Sequence, residues 1–266
     1  MTGAPLTVRS LLDPRPALDA ARTPIADAVN IPFAELPART HELPPRDEVI
    51  AVAGPADLAK RVAAWLTGVG RRAVACADFA WAGDAEAAPR GRLWRPSEFL
   101  CEVLPLLLPA AAGDALDLAC GTGRDAVYLA SCGWAVTAAD ILPDALERGR
   151  DLAGRYAPAL APMRWVQVDL ERDPTPVAGL YDLVVAFRYL HRPLLQRLPG
   201  WLRPGGSVVH ETFTTLHRER YGRPAAESHV LRPGELPGLL AGLEIRHYSE
   251  AWRGPAHTAR IWAVRR

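Results

Sequence analysis

The stretch that decides the fold lies at residues 116–126 and reads LDLACGTGRDA. An apolar run that enters a glycine turn and continues as a helix-forming sequence indicates a strand, a tight turn and a helix. Glycines in such a turn adopt backbone conformations that other residues avoid, and they let a ligand approach without meeting a Cβ atom. The stretch therefore predicts a ligand-binding loop between a strand and a helix.

Two later apolar runs each end in an acid. Asp140 closes the run 134–140, and an acid about 20 residues after such glycines can accept hydrogen bonds from both hydroxyls of a ribose. Asp169 closes the run 165–169, in position to reach an adenine amino group. The third glycine of a dinucleotide-binding loop is missing, because Arg124, Asp125 and Ala126 follow Gly123. The pattern argues against NAD and favours a nucleoside cofactor without phosphates.

The pattern of apolar segments predicts two α/β domains. Five short strands separated by helical or loop-length connections predict a parallel, doubly wound sheet; they lie at 115–118, 135–138, 165–168, 183–186 and 207–210. A smaller α/β unit precedes them, with strands at 8–12, 49–52 and 73–77 and a helix at 58–66. The small, Pro- and Gly-bearing residues between the units indicate a linker. We predict a domain at 1–83, a linker at 84–93 and a second domain at 94–266.

Composition excludes several classes of protein. The 266 residues carry a net charge of +1, which speaks against a basic surface for nucleic acid. The four cysteines have no CxxC spacing, so we expect neither a zinc site nor a redox dithiol. The first residues lack the pattern of a signal peptide, and the apolar run at 103–112 is too short to span a membrane. We therefore expect a reduced, cytoplasmic protein without membrane contact.

Five motifs in order resemble those of class I S-adenosylmethionine-dependent methyltransferases. They are DLACGTG at 117–123, the strand-terminal Asp140, VDL at 168–170, YDLVVAF at 181–187 and LRPGG at 202–206. The long segment 211–232 resembles the corresponding region of the tellurite-resistance and thiopurine-type branch, whose members act on small molecules. The resemblance implies a Rossmann-like methyltransferase domain, S-adenosylmethionine as the cofactor and a small-molecule acceptor, with a thiol, selenium or tellurium compound favoured.

The resemblance also implies which residues hold the cofactor. Asp117 and Gly121 would hold the methionine end, with Gly123 allowing close approach. Asp140 would take the ribose hydroxyls and Asp169 the adenine amine. Leucine 170 would pack on the adenine face, and the aromatic residue at the end of the fourth strand would lie beside the methionine part. The full predicted set is Asp117, Ala119, Gly121, Gly123, Asp140, Ile141, Asp169, Leu170 and Phe187.

Residues just after the fourth and fifth strands should face the acceptor, because ligands bind beyond the carboxyl ends of parallel strands. This places Tyr189, His210 and Glu211 as candidate catalytic residues. His210 or Glu211 would position or deprotonate a thiol or hydroxyl. The alternative for these two is burial in the core or pairing with an arginine. Five arginines would form an anion-binding pocket, unless they are ordinary surface residues: Arg188, Arg192, Arg218, Arg223 and Arg232.

The amino-terminal unit resembles a rhodanese domain. LLDPR at 11–15 and IADAVNIP at 25–32 match the order of its motifs, and Ala53 stands where an active rhodanese has its sulfur-carrying cysteine. The resemblance implies a catalytically silent rhodanese-like domain. Its role stays open between forming a homodimer, covering the methyltransferase site and holding a sulfur-bearing partner.

Three functions remain in view at the level of sequence. The leading one is methyl transfer to a small molecule. The alternatives are methylation of RNA or protein, which the near-zero net charge disfavours, and a non-catalytic module in which cofactor binding regulates an interaction.

Overall fold

A computed structural model describes residues 10–81, 91–107, 112–157 and 159–266. The chain forms two compact units, with the boundary between Arg95 and Pro96. Each contains its own sheet.

The amino-terminal unit is a four-stranded parallel sheet with helices. The strand order is β2-β1-β3-β4, and each neighbouring pair runs parallel. The elements are β1 (Leu11–Asp13), α1 (Ala17–Arg22), β2 (Ala28–Asn30), β3 (Val49–Val52), α2 (Ala56–Gly68) and β4 (Arg72–Ala75). Strand β2 lies in the segment 25–32, where the sequence patterns assign no strand.

The first unit extends further along the chain than the predicted linker allows. Residues 84–90 of that linker lie outside the described residues. Leu93, at its end, is buried in the core of the first unit together with Leu12, Ile50 and Leu66. An apolar side chain removed from water stabilises the unit that buries it, so Leu93 belongs to the amino-terminal unit and not to a linker.

The carboxyl-terminal unit is built on a seven-stranded sheet in the order β10-β11-β9-β8-β5-β6-β7. Its helices are α3 (Glu98–Leu107), α4 (Arg124–Ser131), α5 (Pro143–Tyr156), α6 (Arg192–Leu195), α7 (Thr215–Tyr221) and α8 (Glu235–Leu239). Its strands are β5 (Asp114–Leu118), β6 (Ala135–Asp140), β7 (Met163–Gln167), β8 (Tyr181–Phe187), β9 (Leu202–Phe213), β10 (Glu244–Arg253) and β11 (Ala256–Val264).

The five predicted strands of this unit are present and parallel to one another. The prediction of an all-parallel sheet is wrong at one edge, where β11 runs antiparallel to both β9 and β10. Only Gly254 and Pro255 separate β10 from β11, and so short a connection can join only antiparallel strands. This hairpin was not predicted, because no residue of β10 is buried and the strand carries no continuous apolar run.

The sheet is buried on both faces by two clusters of apolar side chains. One contains Leu118, Val184 and Val208, and the other contains Leu129, Val185 and Val209. Successive residues of a strand point to opposite faces, so β8 and β9 supply both clusters. No helix in the described ranges is long and apolar enough to cross a membrane.

The order of the strands reverses beside β5. The chain passes from β5 outward through β6 to β7, then returns to β8 on the other side of β5 and continues outward to β9. Connections that leave adjacent strands in opposite directions open a crevice at the carboxyl ends. The loops after β5, β6 and β8 meet there.

Candidate cofactor site

The glycine loop after β5 has an unusual backbone. Ala119, Gly121 and Gly123 have φ angles of 56°, 54° and 72°. This left-handed region suits glycine, and a non-glycine residue stays there only when its surroundings hold it. Here the N–H of Cys120 donates to the carbonyl oxygen of Ala139 at 2.9 Å, which ties the loop to β6. A Cβ atom built on Gly121 would meet no heavy atom within 4 Å, so the space in front of the loop is open.

Asp140 holds this loop against the end of β6. One carboxylate oxygen accepts from the backbone N–H of Gly121 at 2.8 Å, and the other accepts from the N–H of Leu142 at 2.9 Å. Each carboxylate oxygen can accept more than one hydrogen bond, so the side chain keeps acceptor capacity for a ligand hydroxyl. The structure therefore gives Asp140 a role in shaping the loop in addition to the predicted ligand contact.

Asp117 supplies a buried carboxylate with an unused oxygen. The residue is 2% exposed, and within the described part of the chain its Oδ2 has no hydrogen-bond partner. Burial, followed by the charges of Asp125 and Asp140, raises its pKa well above the usual value. A buried acceptor left without a donor is costly and calls for an explanation. A ligand carrying a cationic or N–H group would provide one.

Gly123 does not have the predicted role of admitting the cofactor. A Cβ atom there would lie 2.3 Å from Cη2 of Trp165, and one on Gly149 would lie 2.4 Å from Cζ3 of the same ring. The two glycines thus form a slot for the indole between the glycine loop and α5. The requirement for glycine at position 123 comes from packing and from its positive φ.

Asp169 lies two residues beyond the end of β7. Its Oδ1 accepts from the N–H groups of Glu171 and Arg172 at 3.1 and 3.2 Å, which fixes the carboxylate in a turn. Ile141, directly after Asp140, is 52% exposed and presents an apolar surface beside it. Leu170 is only 5% exposed and belongs to the core. It has little side-chain surface left for the adenine stacking that the resemblance implies.

Comparison with known proteins identifies this unit. Residues 115–206 match a family model described as "Methyltransferase domain". The matched stretch begins in β5, contains the glycine loop and Asp140, and ends in β9. Residues 115–206 of this unit are therefore a methyltransferase domain.

Two curated relatives match part of the chain. An uncharacterized protein of Schizosaccharomyces pombe is 24% identical over 195 residues, covering 59% of this chain and 58% of that protein. Glycine N-methyltransferase of Oryctolagus cuniculus is 31% identical over 155 residues, covering 47% of this chain and 51% of that protein. The chain therefore spans little more than half the length of the curated relatives it matches.

Solved structures share the fold of the methyltransferase domain. The N-methyltransferase NodS from Bradyrhizobium japonicum superposes with a TM-score of 0.50 at 20% identity, covering 62% of this chain and 93% of that chain. TehB from Haemophilus influenzae superposes with a TM-score of 0.51 at 17% identity, covering 62% of each chain.

The residues of the methyltransferase domain fit S-adenosylmethionine, the cofactor that the sequence resemblance predicts. The unused oxygen of Asp117 suits the ammonium group at the methionine end. The open space at Gly121 allows the ligand to lie against the backbone. Asp140 stands at the end of the neighbouring strand with acceptor capacity for ribose hydroxyls.

His210 is not placed as a catalytic base. It is completely buried, and among the described residues neither ring nitrogen has a hydrogen-bond partner. Burial lowers its pKa to about 4, so the ring is neutral at physiological pH. The prediction that it exchanges a proton with the acceptor is wrong, because the ring lies in the core; this is the alternative that the sequence left open.

Glu211 is held by neighbours and does not act as the predicted base. Its carboxylate lies 3.1 Å from Nε of Arg260 and accepts from the hydroxyl of Thr258 at 2.7 Å. Arg260 also pairs with Glu98 and Glu102 of α3 at 2.8 and 3.0 Å. The alternative in which this acid pairs with an arginine is the observed one. Its contact with Arg260 also joins β9 to β11.

Tyr189 lies on the cofactor side of the crevice. Burial, together with the charges of Glu171, Asp169 and Asp140, raises the pKa of its phenol. Asp140 ends β6, whereas Asp169 and Glu171 follow β7. Within the described residues its hydroxyl has no hydrogen-bond partner. The phenol therefore stays protonated and can donate to a bound ligand, and its catalytic role stays a prediction.

The five arginines do not form one pocket. Arg192 and Arg232 both bind Glu235, with shortest N–O distances of 2.6 and 3.5 Å. Hydrogen bonding from Arg192 lowers the pKa of Glu235 to about 2. Arg218 donates to the carbonyl oxygen of Ala225, and the charge of Arg223 helps lower the pKa of His217, after burial. The fifth, Arg188, directly follows β8 and is exposed.

Phe187 ends β8, as predicted, and packs half-buried against one of the two core clusters. In the register of the sheet it pairs with Glu211 of β9. The sequence analysis missed Arg124, the first residue of α4, which is half-buried next to the glycine loop. Its position after Gly123 was read only as a departure from the dinucleotide-binding pattern. The sequence could have indicated this residue, because it follows a strand and two glycines and so lies at the carboxyl end of the sheet, where ligands bind.

Proposed function

We propose that the protein transfers a methyl group from S-adenosylmethionine to a small-molecule acceptor. The observation that carries this proposal is a group of ligand-binding features at the carboxyl ends of β5 and β6, where the order of the strands reverses. There the unused Asp117 oxygen, the open backbone at Gly121 and the Asp140 carboxylate stand side by side. The glycine N-methyltransferase relative, whose name gives a small molecule as its acceptor, supports the same class.

The side chains of this chain would bind and orient both reactants. When bound, S-adenosylmethionine supplies an electrophilic methyl group on its sulfonium, so the protein has no bond to activate in the donor. Asp117 would accept from the ammonium group and Asp140 from the ribose hydroxyls, while Tyr189 donates from the adenosine side. Holding the acceptor in line with the methyl group then provides most of the rate enhancement.

We propose a soft nucleophile, a thiol or a selenium or tellurium compound, as the acceptor atom. His210 is neutral and sealed in the core, and Glu211 is paired with Arg260. Neither predicted base is therefore free to take a proton. A thiol ionises appreciably near neutral pH without assistance, since its ordinary pKa is about 8.5. An alcohol does not, so the lack of these two bases favours the more acidic class.

We propose that the amino-terminal unit is a rhodanese-like domain without catalytic sulfur chemistry. In support, Asp13 at the end of β1 and Arg15 form a buried pair at 2.7 Å, and the amide of Asn30 donates to the carbonyl oxygens of both residues. Ala53 follows β3 directly and is fully buried. No thiol stands at that point, so no persulfide can form there.

Calorimetric titration with S-adenosylmethionine, S-adenosylhomocysteine and NAD tests the cofactor first. Binding of the first two without NAD is expected. Methyl transfer from labelled S-adenosylmethionine is then measured with matched thiol, selenol and alcohol acceptors of equal size. Turnover of the thiol and selenol but not the alcohol supports the proposal. Binding of NAD alone, or turnover confined to alcohols, would overturn the cofactor or the acceptor assignment, respectively.

A further inference from the structure

Two arginines stand beside the glycine loop on neighbouring connections. Leu118 of β5 pairs with Ala186 of β8, so the loops that follow these two strands leave the sheet side by side. Arg124 opens α4 at the end of the first loop. Arg188 is the first residue after β8, at the start of the second.

The backbone of Arg188 is held in a special conformation. Its φ angle is 58°, in the left-handed region that non-glycine residues rarely occupy. Its N–H donates to the carbonyl oxygen of Glu211 at 2.8 Å, which fixes the residue to β9. Strained positions of this kind persist when the surroundings over-determine them, and they cluster at ligand sites. The side chain itself is exposed and free to reach a ligand.

The two guanidinium groups lack the partners that other arginines of this domain have. Arg192, Arg203 and Arg260 all bind carboxylates. Across the described ranges, no carboxylate lies within ion-pair distance of either Arg124 or Arg188. Burial lowers the pKa of Arg124, and the charge of Arg188 lowers it further, while nearby Asp125 opposes both effects. The charge of Arg188 is thus felt at Arg124, and both residues belong to the connections beside the open space at Gly121.

We propose that Arg124 and Arg188 together bind a ligand carboxylate beside the glycine loop. Guanidinium groups present paired N–H donors that match the two oxygens of a carboxylate, and an anion between them would relieve their repulsion. This inference rests on the proposed function, because it assigns the chemistry of a ligand at the same site. Two molecules that bind at the carboxyl ends of β5 and β8 can supply the carboxylate. One is an acidic acceptor, and the other is the cofactor, through its methionine end.

The test uses the full chain with Arg124→Gln, Arg188→Gln and the double variant. Arg197→Gln is the matched control, because Arg197 is an exposed arginine in the connection that leads into the start of β9. Arg124→Lys keeps the charge if the glutamine variant does not fold. Thermal unfolding of each variant confirms that the domain is intact.

The first arm measures calorimetric affinity for S-adenosylhomocysteine and for 5′-methylthioadenosine, which lacks the methionine carboxylate. The second arm titrates the S-adenosylhomocysteine complex with benzoate against benzamide, and with mercaptoacetate against 2-mercaptoethanol. A loss of at least tenfold for S-adenosylhomocysteine alone assigns the carboxylate to the cofactor. Preference for the carboxylate probes in the native chain, lost at least tenfold in the variants, assigns it to the acceptor.

Variants that bind every ligand as the native chain does would overturn the carboxylate site and leave the proposed function standing. Equal losses for S-adenosylhomocysteine and 5′-methylthioadenosine would also overturn it, because the effect would then be independent of any carboxylate. If the native chain binds neither S-adenosylmethionine nor S-adenosylhomocysteine, the proposed function itself fails.

Discussion

Asp140 combines an observed role with a proposed one: its carboxylate accepts from the N–H of Gly121, and we propose that it also accepts from the ribose hydroxyls. Removing it would release the loop as well as the ligand contact. We therefore expect the glycine loop to have its final shape before the cofactor binds. The Asp140 carboxylate must then accept hydrogen bonds from the backbone and from the ligand at the same time.

Asp140→Ala should weaken S-adenosylmethionine binding by about 1–3 kcal/mol, since hydrogen bonds to a charged group are lost and the loop is freed. Calorimetric titration measures the change. Asp144→Ala is the control, because Asp144 is an exposed acid in the first turn of α5. An unchanged dissociation constant for Asp140→Ala would contradict the assignment.

Asp117→Asn should change stability and binding in opposite directions. The buried carboxylate has an unused oxygen and a raised pKa, so removing its charge should stabilise the ligand-free protein by roughly 1 kcal/mol. The same change should weaken binding of S-adenosylmethionine, because the ammonium group loses its counter-charge. Thermal unfolding without ligand and calorimetry give the two values. Weaker binding together with lower stability would point to a purely structural residue.

Among the elements, the contact between the glycine loop and α5 depends on one indole ring. Trp165 of β7 fills the slot that Gly123 and Gly149 leave. A helix can approach a sheet this closely only where a side chain is missing. The close approach of α5 to the glycine loop follows from this packing.

Gly149→Ala should destabilise the domain by about 1–3 kcal/mol, because the new Cβ atom would overlap the ring of Trp165 and force a shift. Gly154→Ala in the same helix is the matched control. A Cβ atom at Gly154 meets nothing within 4 Å, so alanine there should stabilise the helix by about 0.5–1 kcal/mol. Denaturant unfolding compares the two. Similar effects of the two substitutions would show that the slot is not tightly packed.

For the whole molecule, the buried His210 links stability to pH. The unfolded chain binds a proton at the ordinary histidine pKa of about 6.5, whereas the folded protein does so only near a pKa of about 4. Between these values the unfolded state holds more protons, so the free energy of unfolding falls as the pH drops from about 6.5 to about 4. The contribution of this residue is on the order of 3 kcal/mol.

His210→Leu should flatten the pH dependence of unfolding across that window. Denaturant midpoints between pH 4 and pH 7 measure the slope. His229→Leu, which removes an exposed histidine, serves as the control. A slope unchanged by His210→Leu would show that the native ring takes up its proton as readily as the unfolded chain does.

Many strands of the two sheets could be predicted from the local sequence pattern. The strands at 49–52, 115–118 and 183–186 were predicted because each is a short apolar run next to turn residues. The glycine loop and Asp140 were predicted because their spacing along the chain reflects the geometry of one strand, one helix and the next strand. The β10–β11 hairpin escaped prediction, since its exposed strand has no run of apolar residues that would mark it.

The sequence by itself determined the α/β class, the five parallel strands of the larger sheet and the glycine loop between β5 and α4, because these depend on periodicity and on neighbours close in the chain. Only the tertiary structure decided which polar side chains are free to act. Glu211 meets Arg260 across the β9–β11 pairing, and His210 is buried by residues far away in sequence. Gly123 faces Trp165 from another strand. Burial and pairing are set by contacts between distant segments, and residue type alone does not encode them.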